Sequence, residues 1–138
     1  MIGILIISHG TLGESLIHCA SHVLNKRPLR LKQLGVTAQD DPTLLLPQAL
    51  TLVKELDDGS GVLILSDIYG GTPSNLASKL VMPGKIEAVA GVSLPMLIRV
   101  LTYRDRDLQT IVTKAISGGC EGVMRVLMDK LHNVATRS

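Results

Sequence analysis

The chain has 138 residues, of which 46% are hydrophobic and 19% charged, and its formal net charge is +2. That balance describes one globular domain, 1–138, and excludes a disordered chain. Phe and Trp are absent and the only aromatics are Tyr69 and Tyr103, so the core is aliphatic and stacking platforms for single-stranded nucleic acid are missing.

The basic residues are scattered and form no stripe for nucleic acid or an anionic membrane. The densest charge cluster, Arg104-Asp105-Arg106-Asp107, alternates in sign and reads as solvated surface. Cys19 and Cys120 lie far apart without CxxC partners. They are expected as free thiols in a reducing cytoplasm, with no bridge and no metal site. The first apolar run is too short for a membrane span and lacks a basic flank or cleavage site, so neither anchor nor signal peptide is expected.

In chain order, Ile2 to Ile7 is a continuous apolar run, the pattern of a strand covered on both faces. Thr11 to Asn25 carries Leu12, Leu16, Ala20, Val23 and Leu24 at helical spacing. His18 and His22, four apart, fall opposite that stripe and are expected in solvent rather than on a metal. Leu29 to Val36 alternates as a strand. Pro42 to Leu56 reads as a helix started by Asp40 or Asp41, with an irregularity expected near Pro47.

Val62 to Leu65 is the third strand, followed by a Gly-Gly loop and a helix from Pro73 to about Leu80. A fourth strand is expected over Ile86 to Val92, and helices over Pro95 to Thr102 and Leu108 to Ile116. After Ser117-Gly118-Gly119 the segment beginning at Glu121 is ambiguous between helix and strand. His132, near the end, is expected in solvent. Strands alternating with helices imply right-handed crossovers and a parallel sheet with helices on both faces.

Ligands on such sheets bind beyond the carboxyl ends of the strands, where the strand order reverses. If the first strand lies between the second and third, that point falls between strands one and three. Their carboxyl ends carry His9 and Asp67. An imidazole can attack phosphorus through one ring nitrogen while a carboxylate on the other fixes the tautomer and stabilises the developing charge. Gly70 and Gly71 permit a close main-chain approach. Thr72 is expected as the N-cap with Pro73 at the first helical position. The amides around Thr72, Ser74 and Asn75 would then face a dianion such as phosphate.

Ser8 is the neighbour of His9 in a strand and points to the other face, which argues against a Ser–His dyad. Neither a P-loop, nor G-x-G-x-x-G, nor G-x-S-x-G occurs.

Three stretches, "ILIISHG", "GVLILSDIYGGTPSN" and "AVAGVSLPMLIRVL", make the chain resemble the IIA domain of the mannose-type sugar phosphotransferase system. The resemblance implies that His9 takes a phosphoryl group from the phosphocarrier protein HPr and hands it to a IIB component, through a transient phosphohistidine. It implies that Asp67 orients His9 and that the loop of Gly70, Gly71 and Thr72 lies against the phosphoryl group. No cofactor or metal is implied. The family fold adds a short antiparallel fifth strand exchanged within a homodimer, which favours a strand for part of "EGVMRVL".

Many relatives continue into a IIB domain. This chain ends at Ser138, so a IIB partner is expected to be a separate protein or absent. The chain would be cytoplasmic and meet the membrane only through a transporter complex. Three alternatives stand beside this reading. One is a stand-alone regulatory phosphoprotein. Another is a phosphocarrier for dihydroxyacetone kinase, against which the Gly-Gly-Thr-Pro loop speaks. The last is an "RHG" phosphatase, against which Ser8 speaks because an arginine is needed there.

Overall fold

Four apolar runs form the strands β1 (Gly3–His9), β2 (Leu31–Val36), β3 (Val62–Ser66) and β4 (Ile86–Ala90) in the computed structural model, which describes residues 1–129. The helices are α1 (Leu12–Leu24), α2 (Pro42–Leu56), α3 (Gly71–Leu80), α4 (Leu94–Tyr103) and α5 (Leu108–Glu121). Every strand pairing is parallel and the order is β2-β1-β3-β4. β1 therefore lies between β2 and β3, and the reversal of strand order sits between the carboxyl ends of β1 and β3.

The two central strands read as unbroken apolar runs because both faces are covered. Ile4, Ile6, Leu63 and Leu65 pack with Leu97, Val100 and Ile111 beneath α1, α4 and α5. Leu5, Ile7, Val62 and Ile64 pack with Val53, Leu76 and Leu80 beneath α2 and α3. All eight strand side chains are fully buried, each contributing about 1.5–3 kcal/mol relative to exposure.

Local signals set several helix starts. Asp41 caps α2, its side chain accepting from the Thr43 amide at 3.0 Å and the Thr43 hydroxyl at 2.8 Å, with Pro42 following. Ser93 and Asp107 cap α4 and α5 in the same way. The helix α2 runs unbroken past Pro47, where an irregularity was expected.

Elsewhere packing overrides the local pattern. The buried face of α1 is Gly13, Ile17 and Ala20, while Leu12 and Val23 are exposed. A Cβ on Gly13 would lie 3.0 Å from Gln33 Cβ and 3.2 Å from Ile6 Cγ2, so the helix approaches the sheet through its smallest residues and the apolar stripe turns with it. His18 and His22 are exposed, as expected for the solvated face.

The helix α5 does not stop at Ser117-Gly118-Gly119 but continues to Glu121. Its glycines make the contact with α4. A Cβ on Gly118 would sit 2.9 Å from Arg99 Cβ, one on Gly119 2.9 Å from Met96 Cε, and one on Gly122 2.4 Å from Pro95 Cβ. Residues that look like helix breakers in isolation serve here as a close helix–helix seam.

Arg104 is not solvated surface: it is buried. Its Nε and Nη2 donate to the Ile2 carbonyl at 3.2 and 2.8 Å, Nη2 also donates to Arg30 O at 2.9 Å, and Nη1 donates to Leu29 O. The Arg104 carbonyl in turn accepts from the Ile2 amide. One guanidinium thus ties the starts of β1 and β2 to the end of α4. Arg104→Met keeps much of the aliphatic stem but removes the donors to the Ile2 and Leu29 carbonyls, while the Arg30 carbonyl keeps the Ile4 amide at 3.0 Å. The substitution is expected to cost about 2–4 kcal/mol in urea unfolding, and a loss below about 0.5 kcal/mol would contradict this reading.

Residues 123–129 form neither helix nor strand. No antiparallel fifth strand therefore occurs within the described part of one chain. His132 lies outside the described residues.

Candidate active site

Both halves of the site are strand ends. The chain leaves β1 at His9 and turns at Gly10, whose φ of +57° favours glycine. The Gly10 amide donates to Val36 O at 2.9 Å, fastening the turn to β2. On the other face, the buried Ser8 hydroxyl accepts from the Gly13 amide at 3.0 Å. Ser8 therefore holds the start of α1 and makes no dyad with His9, in line with the strand alternation.

Asp67 follows β3 directly, and the adjoining Ser66 carbonyl accepts the Gly91 and Val92 amides, both at 2.9 Å, which ties down the loop after β4. Asp67 reaches across to β1. Its Oδ2 lies 2.8 Å from His9 Nδ1 and accepts from the His9 backbone amide at 3.0 Å. Its Oδ1 accepts from the Ile68 amide at 3.1 Å. The side chain of Asp67 is 12% exposed and that of His9 56%. The anchor is sheltered and the imidazole is open.

Partial burial pushes the Asp67 carboxyl up, but the bonds from the His9 amide and ring and from its own backbone outweigh it, so the group sits below its ordinary range. A depressed folded value means that the ionised carboxylate contributes stability above about pH 4 and loses it as pH falls through the folded value. Ionised, Asp67 only accepts, so in the neutral imidazole Nδ1 carries the proton and Nε2 keeps its lone pair. The arrangement is an imidazole held through Nδ1, with Nε2 at its other end.

Gly71 borders that nitrogen: a Cβ there would lie 3.7 Å from His9 Cε1 and 3.8 Å from Nε2. Gly70 and Gly71 have φ of +88° and +81°, a region that L side chains rarely adopt. Gly70 stands at the N-cap position and α3 begins at Gly71 without a side-chain cap. Thr72 is therefore not the cap expected from sequence, because the two glycines start the helix two residues earlier. His9, Asp67 and Gly71 come together at the reversal point. Thr72 instead lines a groove with Pro42 and Leu46 of α2, and Ser74 lines a hollow on the β4 side with Ser66 and Tyr69.

Gly71→Val is expected to keep the fold while weakening any group transfer at Nε2 by about tenfold or more, since a branched side chain is strained at this φ and crowds the ring. Unchanged transfer in a folded Gly71→Val protein would separate this loop from the reaction.

Among the described residues no cluster of three His, Cys, Asp or Glu could hold a metal ion. Both cysteines are free and exposed. No described helix is long and apolar enough to cross a membrane.

The α/β sheet thus presents one carboxylate-oriented histidine at its switch point. The model of the family described as the PTS system fructose IIA component matches residues 3–116. The chain is 33% identical over 125 residues to the "PTS system mannose-specific EIIAB component" of Escherichia coli K12, covering 88% of this chain and 38% of that one. It is 39% identical over 85 residues to the "PTS system fructose-specific EIIA component" of Bacillus subtilis 168, covering 61% of this chain and 58% of that one. It thus spans less than two thirds of the length of these curated relatives.

Among solved structures, the mannose/sorbose-specific IIA subunit from Enterococcus faecalis matches with a TM-score of 0.81 at 21% identity, over 94% of this chain and 97% of that one. The EIIA component from Streptococcus agalactiae matches at 0.80 with 24% identity, over 91% and 97%. The chain belongs to the mannose- and fructose-type IIA family of the phosphotransferase system.

Proposed function

We propose that the protein is a phosphoryl carrier of the phosphoenolpyruvate-dependent sugar phosphotransferase system, with HPr as donor and a IIB protein or domain as acceptor. The observation that carries this is the 2.8 Å approach of Asp67 Oδ2 to His9 Nδ1, which in the neutral imidazole puts the proton on Nδ1 and the lone pair on Nε2, beside Gly71.

In the reaction the Nε2 lone pair forms a bond to phosphorus as the phosphorus–nitrogen bond of phospho-HPr breaks. The donor imidazole keeps that electron pair. The positive charge that develops on His9 is stabilised by Asp67, and the Nδ1 proton stays between the two. Onward transfer to IIB is the same displacement with His9 as leaving group. The glycine turn and the main-chain amides of Thr72 and Ser74 at the start of α3 favour the phosphoryl charge. The enzyme is thus a phosphotransferase acting in the cytoplasm through a transient phosphohistidine and needing no cofactor. Incubation with phosphoenolpyruvate, enzyme I and HPr should add one phosphoryl group by intact mass. An unchanged mass would reject the proposal.

The same reading includes a homodimer. Beyond the single bridge of Ile86 to Met82, the β4 edge has no strand partner among the described residues, and the segment that follows α5 exposes Val123, Met124, Val126, Leu127 and Met128. An open sheet edge and an exposed apolar segment suit pairing between two copies. Light scattering at micromolar concentration should give the mass of two chains, and truncation before Gly122 should give monomers or aggregates. A single-chain mass for the intact protein would count against the dimer.

A further inference from the structure

The position of His9 depends on more than Asp67. β1 pairs with β2 in the register Ser8 with Gly35 and His9 with Val36. The turn at Gly10 folds its carbonyl over Gly35 so closely that a Cβ on Gly35 would lie 2.2 Å from that oxygen. No side chain fits there, and the clash would be with backbone rather than with a flexible side-chain end. Gly35 itself has no left-handed φ, so the requirement for glycine is one of space.

Beside the same point stands Gln33. Its Oε1 would lie 3.6 Å from a Cβ on Gly35 and 3.2 Å from one on Gly13. Among the described residues it is the one buried side-chain oxygen or nitrogen without a hydrogen-bond partner. An orphaned buried acceptor calls for an explanation. The two ends of a glutamine amide have nearly the same shape, so a half-turn places the NH2 where the oxygen stands, 3.6 Å from the same Cβ position that the Gly10 carbonyl approaches to 2.2 Å.

We propose that Gly35 and Gln33 of β2 are positioning residues for His9, Gly35 by leaving room for the Gly10 carbonyl and Gln33 by donating to it. With the Gly10 amide already bonded to Val36 O at 2.9 Å, the turn is then held at both its donor and its acceptor. The imidazole is aimed from β2 on one side and from Asp67 on the other. This rests on the phosphoryl-carrier reading only for its effect on rate.

The test is Gly35→Ala, read in two ways. In the unphosphorylated protein at about pH 9, where imidazole is ordinarily neutral, ring 15N NMR of wild type should show protonated Nδ1 and bare Nε2 on His9. The variant should fold by circular dichroism and show averaged or reversed ring signals, because the bond to Asp67 is lost. Its phosphoryl acceptance from phosphoenolpyruvate, enzyme I and HPr should fall about tenfold or more. A role confined to stability would lower the melting temperature and leave the ring signals and rate alone.

If Gly35→Ala fails to fold, Gln33→Met decides. It keeps the length of the side chain without its donor, and a shift of the His9 ring signals supports the proposal. A folded variant with ring signals like wild type and a rate within twofold overturns it. If wild type itself accepts no phosphoryl group, the carrier reading fails, and the ring signals still judge the placement of His9.

Discussion

Asp67→Asn is expected to slow phosphoryl acceptance by about 10²–10³, or roughly 2.7–4 kcal/mol in the barrier, while leaving the fold intact. The carboxylate receives two bonds from His9, from the ring at 2.8 Å and from the backbone amide at 3.0 Å. Asparagine can still accept one of them. It can also donate to Nδ1, which permits the tautomer with a proton on Nε2 and removes the nucleophilic lone pair. It also removes the negative charge facing the developing imidazolium. The corresponding change in a serine-protease triad costs about 10⁴ in rate. The smaller loss expected here reflects a donor whose phosphorus–nitrogen bond is already labile. Quenched-flow transfer from phospho-HPr measures it, and a rate within threefold of wild type would show that the pair does not direct the chemistry.

The same substitution has a consequence at low pH. Because the folded Asp67 carboxyl lies below its ordinary range, wild type loses stability relative to Asp67→Asn as pH falls below about 4. A pH series of urea unfolding should show the two proteins converging there, with wild type the more stable at neutral pH.

His9→Ala is expected to abolish phosphoryl acceptance altogether. At 56% exposure the ring contributes little to the core, so the variant should fold. Its loss leaves the sheltered Asp67 with the Ile68 and His9 backbone amides as donors, enough to keep the β3 end ordered. The label on wild type should be lost in acid and survive base, because protonating the nitrogen of a phosphoramidate weakens its bond to phosphorus. Labelling of His9→Ala as fully as wild type would assign the nucleophile elsewhere.

The meeting of His9 and Asp67 was legible because each ends a continuous apolar run, and such runs become central strands of a parallel sheet. The start and end of α2 were legible for a local reason, Asp40 or Asp41 before Pro42 and the Asp57-Asp58-Gly59 turn, and the structure places the cap at Asp41. What escaped depends on contacts distant in sequence. Arg104 sits in an alternating charge run that looks solvated, yet its carbonyl partners are 74 to 102 residues away. The end of α5 was misplaced because Gly118 and Gly119 are poor helix formers alone, a cost outweighed by the close seam they make with α4. Thr72 looked like a cap because its type suits one, but the positive φ of Gly70 and Gly71 had already begun α3. The contact between Gly35 and the Gly10 carbonyl has no local signature at all.

On the proposed reading, two strand ends meet so that His9 acts through Nε2. The most direct measurement is heteronuclear 31P–15N NMR of the phosphorylated protein with 15N-labelled histidine. The predicted result is one phosphorus coupled to Nε2 of His9, with Nδ1 protonated toward Asp67. Phosphorus on Nδ1 of His9, or on any other residue, would contradict it.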